Sequence, residues 1–308
     1  MNFFANSRFM GGSYAHARAD KALVRNKIAS SEKAARVIRS EIEKADAIMV
    51  GAGAGLSAAA GLTYSGKRFN DNFADFKHAF GITDMYSGGF YPFPDLETYW
   101  AWWSRHILIN RYDAEIGKPY LDLYALLEDK NYFVITTNVD HQFQKAGFNK
   151  ERLFYTQGDY GLFQCARNCK NKTFDNEKTI RAMVEQQRDL RVPTALLPMC
   201  PDCGAPLVPN LRVDDSFCEN SGWQAAAERY QAFCYKHRTD RVVHLELGVG
   251  NNTPVIIKYP FWNATDANKN AVYACINKQE AYVPAALAER SILVDDDLSI
   301  MLDHLNKH

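Results

Sequence analysis

Two sets of polar residues stand where apolar runs stop. Residues 132–137 (Tyr-Phe-Val-Ile-Thr-Thr) read as a strand and lead at once into Asn138-Val139-Asp140. Residues 152–156 (Arg-Leu-Phe-Tyr-Thr) read as a second strand, ending at Gln157-Gly158. In open α/β sheets the ligand crevice lies outside the carboxyl ends of the strands, so Asn138, Asp140 and Gln157 are candidate site residues. The local alternative is structural: Asn tolerates strained turns, and Asp140 can cap the short helix expected over residues 141–147. Gln157 can donate and accept hydrogen bonds, but an amide cannot carry a proton away.

A third strand, Ala47-Ile48-Met49-Val50, runs into Gly51, Gly53 and Gly55. Gly53-Ala54-Gly55-Leu56-Ser57-Ala58 fits the G-x-G-x-x-G/A pattern, in which missing Cβ atoms let backbone N–H groups approach a pyrophosphate. The alternative is a Gly-rich turn that binds nothing. Hydride-transferring enzymes also carry an acid about 20 residues on, at the end of the next strand. Asp71 and Asp75 have that distance, but the Arg68-Phe-Asn-Asp-Asn-Phe-Ala-Asp-Phe run around them is no strand, which argues against hydride transfer.

Cys165-x3-Cys169 and Cys200-x2-Cys203 form two close pairs. Pairs on turns can each give two thiolates to a tetrahedral zinc, and Gly204 after Cys203 permits a tight turn. Four protein ligands leave no open position, so the expected role is structural. The alternative is four buried or redox-active thiols. Cys218, Cys234 and Cys275 are expected to be core thiols.

In this order the motifs resemble the catalytic core of sirtuins, from about residue 45 to the C-terminus. Asn138-Val139-Asp140 corresponds to the end of that family's Thr-Gln-Asn-Ile-Asp run, and Gly53-Ala-Gly-Leu-Ser57 to its Gly-Ala-Gly-Ile-Ser loop. Ile276-Asn277 matches its Ile-Asn ribose site, and Gly248-Val249-Gly250 stands in place of its Gly-Thr-Ser turn. The His of its His-Gly pair is here Gln157. The resemblance implies NAD as co-substrate, cleaved at the nicotinamide–ribose bond through an oxocarbenium-like state. It implies cofactor contacts at Gly53, Ala54, Gly55, Ser57, Thr137, Asn138, Asp140, Gln157, Gly248, Val249, Gly250 and Asn277. Asp140 would hold the carboxamide and Asn138 would sit by the nicotinamide ribose, with Leu293 and Val294 bordering the adenine. The family's Asp-Phe-Arg is absent; Thr63-Tyr64-Ser-Gly-Lys-Arg68-Phe69 stands there, leaving open which residue covers the cofactor.

In deacylating sirtuins the His is a general base, an aid of roughly 10²–10⁴-fold. With Gln157 in that slot, efficient deacylation requires another base, for which Asp159 and His141 are nearest in sequence. The pattern is similar to class M sirtuins, which carry Gln here and act as protein mono-ADP-ribosyltransferases. That resemblance implies transfer to a lipoylated carrier protein like the glycine-cleavage H protein, with a macrodomain hydrolase and a lipoate ligase as partners. Two alternatives stay open: a deacylase with a substitute base, and a non-catalytic NAD or ADP-ribose sensor.

Of 308 residues, 47% are hydrophobic, enough for a buried core. Acids and bases balance at 36 each, which argues against a broad footprint for nucleic acid or anionic membrane. No run approaches the ~20 apolar residues of a membrane helix. Residues 1–20 lack the apolar core of a secretory signal; their Ala-, Arg- and Ser-rich composition leaves a transit peptide as the minor alternative. Seven cysteines, four with metal spacing, fit a reducing cytoplasm.

Strands alternating with helices indicate an α/β fold: a Rossmann-like doubly wound parallel sheet with a smaller zinc-binding module and a helical insertion. The expected division is an N-terminal helical extension (1–44), a Rossmann-like NAD-binding domain (45–62, 120–158 and 240–308), a helical insertion (63–119) and a zinc-binding small domain (159–239). Residues 1–12 read as an aromatic strap, and 19–44 as helix with a break at Ser30-Ser31, where Ser30 is the expected N-cap. Residues 120–130 read as a helix with Leu121, Tyr124 and Leu127 on one face, and 176–191 as a polar helix. Further strands are expected at 242–247, 254–257 and 271–276, and a closing helix at 298–305. Trp100, Trp102 and Trp103 read as core, with the acceptor groove as alternative; His106, His237 and His244 lack ligand spacing. Asp295-Asp296-Asp297 reads as a solvated loop and helix start.

Overall fold

The computed structural model describes residues 23–25, 30–251 and 254–307. The aromatic strap expected over residues 1–12 lies outside the described residues. Leu23–Val24 is a short strand, β1. Helix α1 is Ser31–Lys44; Ser30 Oγ accepts from the Lys33 N–H at 3.3 Å, and Ala34, Ala35, Ile38 and Ile42 make its buried face. Within the helix expected over residues 19–44, α1 begins after this cap and Leu23–Val24 is extended instead; residues 19–22 and 26–29 lie outside the described residues.

Strand β2 (Ala47–Ala52) is buried throughout and turns at Gly53 into α2 (Ala54–Ala59). Helices α3 (Gly66–Phe80), α4 (Met85–Gly89) and α5 (Leu96–Ile107) follow, and α5 runs into a π-helical turn at Leu108–Tyr112. Asp84 and Asp95 cap α4 and α5 through the Ser87 and Thr98 N–H groups. Next come α6 (Lys118–Leu127), β3 (Tyr132–Thr136), α7 (Gln142–Lys145) and β4 (Leu153–Tyr155). The cysteine-bearing stretch holds β5 (Gly158–Cys165), β6 (Thr173–Asp175), α8 (Glu177–Gln186) and β7 (Leu207–Leu211). The chain then forms α9 (Ser221–Lys236), β8 (Val242–Leu247), α10 (Lys258–Ala267) and β9 (Val272–Ile276). It ends with β10 (Val283–Pro284), β11 (Ser291–Val294) and α11 (Leu298–Lys307).

Six strands form a parallel sheet in the order β11-β9-β8-β2-β3-β4. Side chains alternate across it, as the two-residue strand period requires. Ile48, Val50, Tyr132 and Val134 pack with α1, α6 and α11 on one face. Met49, Phe133, Ile135 and Cys275 pack with Trp223, Ala227 and Tyr230 of α9 and with Phe261 of α10 on the other. Burial on both faces explains why these strands are continuous apolar runs. The doubly wound α/β sheet is the architecture the alternating pattern indicates.

A second core joins the insertion to the cysteine-bearing stretch. Phe73, Phe76 and Trp102 cluster with Phe163, Cys165, Ile180 and Leu207. The Phe76 and Trp102 rings meet edge to face at 5.2 Å. Trp100, Trp102 and Trp103 are all buried, as the core reading holds. His106, His237 and His244 are buried too, and burial pushes His106 down to about 3 and His244 to about 4.

Several local expectations fail. Helix α6 buries Tyr120, Leu123, Leu126 and Leu127; of the expected face Leu127 is buried and Tyr124 packs half-buried against the core, while Leu121 is 44% exposed. Residues 254–257 form no strand but a turn, with Pro254 lacking an N–H and Ile257 leading α10 into the core. The polar helix stops at Gln186, because Asp189 and Leu190 take positive φ and close an Arg188–Arg191 bridge. Strand β11 was not expected; it completes one sheet edge beside β9.

Candidate active site

The exits of the central strands are tied by continuing backbone hydrogen bonds. Thr137 N–H donates to Ala52 O at 3.1 Å, Thr156 to Thr136 O at 2.9 Å, and Gly53 to Leu247 O at 3.0 Å. The glycine loop is pressed against the end of β8. Gly55 N–H donates to Gly248 O at 2.9 Å. A Cβ on Gly53 would lie 2.7 Å from the Gly248 carbonyl oxygen, and one on Gly55 2.7 Å from the Gly248 Cα. Gly248 itself has φ +61°. These glycines let two backbones touch.

Below them lies a closed polar network. Asn138 Nδ2 donates to Gly53 O at 3.0 Å and to Tyr120 Oη at 3.1 Å. Tyr120 Oη meets Ser57 Oγ at 2.9 Å, and Ser57 Oγ donates to Asp140 Oδ2 at 2.5 Å. Asp140 Oδ1 also accepts from the Gln142 N–H at 3.0 Å, so it fills its helix-capping reading as well. All four side chains are buried. Burial raises the Asp140 carboxyl above its ordinary value, against the hydrogen bonds from Ser57 and Gln142. Burial, and next the Asp140 charge, push Tyr120 well up. Tyr120 was missed from sequence; a tyrosine at a helix start looks like core until its hydroxyl is seen among polar partners.

Gln157 lies in the turn between β4 and β5, half-buried, its Nε2 3.5 Å from Thr156 Oγ1 and its backbone carbonyl taken by the Arg212 N–H. Asn277 Nδ2 donates to Val249 O at 2.9 Å, so it braces the turn at residues 248–250. Val249 is wholly buried, whereas Gly250, Gly55 and Thr137 are partly open and Ala54 is exposed. Of the three residues weighed as a cover after the glycine loop, Phe69 is core and Arg68 is held by Thr63 O, Asn110 Oδ1 and Ile109 O. Tyr64 is partly open, with its hydroxyl 2.7 Å from that of Tyr160.

Sequence proximity also left Asp159 and His141 unplaced; they are in contact. His141 Nδ1 lies 2.9 Å from Asp159 Oδ2, and Asp159 Oδ1 accepts from Arg111 Nε at 2.8 Å and from the Gly161 N–H at 2.6 Å. Burial opposes the Asp159 charge, but His141 and Arg111 outweigh it and hold the carboxyl below its usual range.

The sulfurs of Cys165, Cys169, Cys200 and Cys203 lie within 4.8 Å of one another, with Cys165–Cys203 and Cys169–Cys200 both at 3.6 Å. A zinc tetrahedron with bonds of about 2.3 Å has edges of about 3.8 Å, so the four cysteines fit a structural zinc. The second pair sits on a knuckle: Gly204, at φ +69°, donates to Cys200 O at 2.9 Å.

No protein-family model matches the chain. Solved structures of sirtuins share its fold. Sir2Tm bound to a propionylated peptide superposes with a TM-score of 0.57 at 16% identity, covering 88% of this chain and 97% of that one. A Sir2 homolog–NAD complex gives 0.56 at 16% identity, over 92% and 95%. A protein of Staphylococcus aureus (strain Mu50 / ATCC 700699) named protein ADP-ribosyltransferase is 40% identical over 271 residues, 88% of this chain and 86% of that protein. The chain belongs to the protein ADP-ribosyltransferase family. A Fusarium oxysporum f. sp. cubense protein named probable bifunctional ADP-ribose hydrolase/ADP-ribosyltransferase is 32% identical over 72% of this chain, which spans 38% of that longer protein. ADP-ribosyl transfer is the enzyme class read from Gln157. No helix among the described residues is long and apolar enough to cross a membrane.

Proposed function

We propose that the chain is a class M, macrodomain-linked sirtuin: an NAD-dependent protein mono-ADP-ribosyltransferase that releases nicotinamide and modifies a lipoylated carrier protein like the glycine-cleavage H protein. The observation that carries this reading is the Asn138–Tyr120–Ser57–Asp140 network, intact in a chain that carries an amide at 157. In this reading Asp140 takes the carboxamide of NAD, and Asn138 supports attack at the ribose C1 carbon. Gln157 positions the ribose hydroxyls without removing a proton. Gly53, Ala54, Gly55, Ser57, Thr137, Gly248, Val249, Gly250 and Asn277 form the rest of the nucleotide cradle.

The site works in the reducing cytoplasm, and zinc holds the cysteine-bearing lobe without entering the chemistry. A macrodomain hydrolase would reverse the modification and a lipoate ligase would prepare the carrier. The Fusarium protein, whose name joins an ADP-ribose hydrolase to an ADP-ribosyltransferase, supports the first pairing.

The test is transfer of labelled ADP-ribose from NAD to lipoylated carrier protein by wild type, Asn138→Ala and Gln157→Ala. Loss in both variants is expected; wild-type transfer by both refutes the assignment. Formation of O-acyl-ADP-ribose from an acylated peptide would favour the deacylase alternative.

A further inference from the structure

Gln157 leaves the reaction without a base at the usual place, and a second group stands close by. His141 directly follows Asp140, and Asp159 lies two residues after Gln157. The Tyr160 N–H donates to Val139 O at 3.0 Å and ties these two segments side by side. Asp159 is held by three donors: His141 Nδ1, Arg111 Nε and the Gly161 N–H. With Nδ1 engaged by a carboxylate, the proton of a neutral His141 sits on Nδ1 and the lone pair on Nε2. Among the described residues Nε2 has no hydrogen bond, and the His141 side chain is 29% exposed. His141 also takes the left-handed backbone, φ +67°, a conformation that histidine adopts more readily than most non-glycine residues. An imidazole oriented by a carboxylate, with its other nitrogen open, is the geometry of a general base.

We propose that His141, oriented by Asp159, accepts the proton of the nucleophile that attacks the ribose C1 carbon. The inference rests on the NAD-cleaving reading above. The C1–nitrogen bond breaks and its electron pair leaves with nicotinamide. The bond from C1 to the attacking oxygen, sulfur or nitrogen forms, and the proton of that atom passes to His141 Nε2. Water is the nucleophile in hydrolysis, and a hydroxyl, thiol or amine in transfer. Asp159 is a positioning residue: it fixes the tautomer and stabilises the imidazolium that forms. The charged groups around the pair are Arg111 on the π-helical turn, Asp140 in the same loop and Lys145 one turn further on, the last held by Tyr112 O and Ala114 O.

The test uses the full chain, NAD and two readouts. Exchange of labelled nicotinamide into NAD requires the bond to break but no proton to be removed from the nucleophile. Formation of ADP-ribose in water, and of its methyl glycoside with added methanol, requires both. His141→Asn is the variant of choice: asparagine tolerates the left-handed backbone, and its amide can still donate to Asp159. The ratio of solvolysis to exchange should fall by about 10²-fold. Asp159→Asn should lower the same ratio by less. An unchanged ratio in His141→Asn overturns the proposal. So does an equal fall in both readouts, which marks a structural role. A wild type that neither exchanges nor solvolyses, and transfers nothing when lipoylated carrier protein is added, refutes the NAD-cleaving reading itself, and the proposal falls with it.

Discussion

At the strand ends, Tyr120, Asn138, Ser57 and Asp140 are buried and each is hydrogen-bonded to at least one of the others. In the lobe built from the insertion and the cysteine-bearing stretch, the indole N–H groups of Trp102 and Trp103 and the Nδ1 of His106 are buried with no hydrogen-bond partner. That lobe is held by ring on ring, as where Phe73 meets Trp102 at 4.3 Å and Phe93 meets it at 5.9 Å. An unmet polar group costs about 1–3 kcal/mol, so the lobe tolerates a penalty that the site does not carry. The lobe gains from bulk burial, whereas the site spends its polar groups on fixing where atoms sit. Its backbone does the same, with glycine against glycine where the β2 and β8 ends touch.

If the lobe is stabilised by bulk and metal, removing zinc should be the largest single perturbation. Cys169 and Cys203 are exposed, so a chelator can reach the cluster. Structural zinc supplies an apparent ~10–16 kcal/mol in zinc-finger peptides that have little else; a lobe with its own aromatic core should lose less. Calorimetry before and after chelation, with released zinc quantified, should show the transition move down by many degrees. Full zinc release with an unmoved transition would break the comparison on the lobe side.

Trp102→Ala comes next. The ring is fully buried, and large-to-small changes of this kind cost about 3–5 kcal/mol. The lower end is expected, since the substitution also removes a buried N–H that has no partner. Denaturant unfolding checks the figure. Because Trp102 belongs to the lobe core and not to the sheet cores, NAD affinity of the folded variant should change far less than stability. A matching loss of affinity at temperatures where the variant is folded would mean that the two regions are coupled rather than separate.

What the sequence disclosed follows the same division. Strand 242–247, the glycine loop and the Cys200–Cys203 knuckle are local patterns in which a few adjacent residues specify a backbone, and they were legible. Strand β11 and the turn at 254–257 were not. Both are short apolar stretches, and which of them enters the sheet depends on neighbours far along the chain. Helix α6 shows the limit of periodicity: Tyr120, Leu121, Leu123, Tyr124, Leu126 and Leu127 offer two overlapping faces, and only docking on the sheet selects one. The Asp159–His141–Arg111 contact is fixed by β5 lying against the loop after β3, which no spacing rule encodes.

Tyr120→Phe should have the smallest effect on stability and sharpens the comparison most. It deletes one hydroxyl and no ring packing, so the edge-to-face contact with Phe143 at 4.9 Å survives. Each orphaned partner keeps another bond: Asn138 Nδ2 still donates to Gly53 O, and Ser57 Oγ still donates to Asp140. The cost should therefore lie near the low end for a buried hydrogen bond, about 1 kcal/mol, a shift of a few degrees in a thermal scan. Activity should suffer more. The hydroxyl links Asn138 to Ser57, and through Ser57 to Asp140, so without it the two proposed reacting-site residues lose their common brace. Small misplacements of reacting groups can cost about 10²-fold in rate. A kcat that falls at least tenfold while the melting temperature barely moves would show that the network fixes geometry. Equal and modest losses in both would instead make it an ordinary buried polar cluster, no different in kind from the lobe.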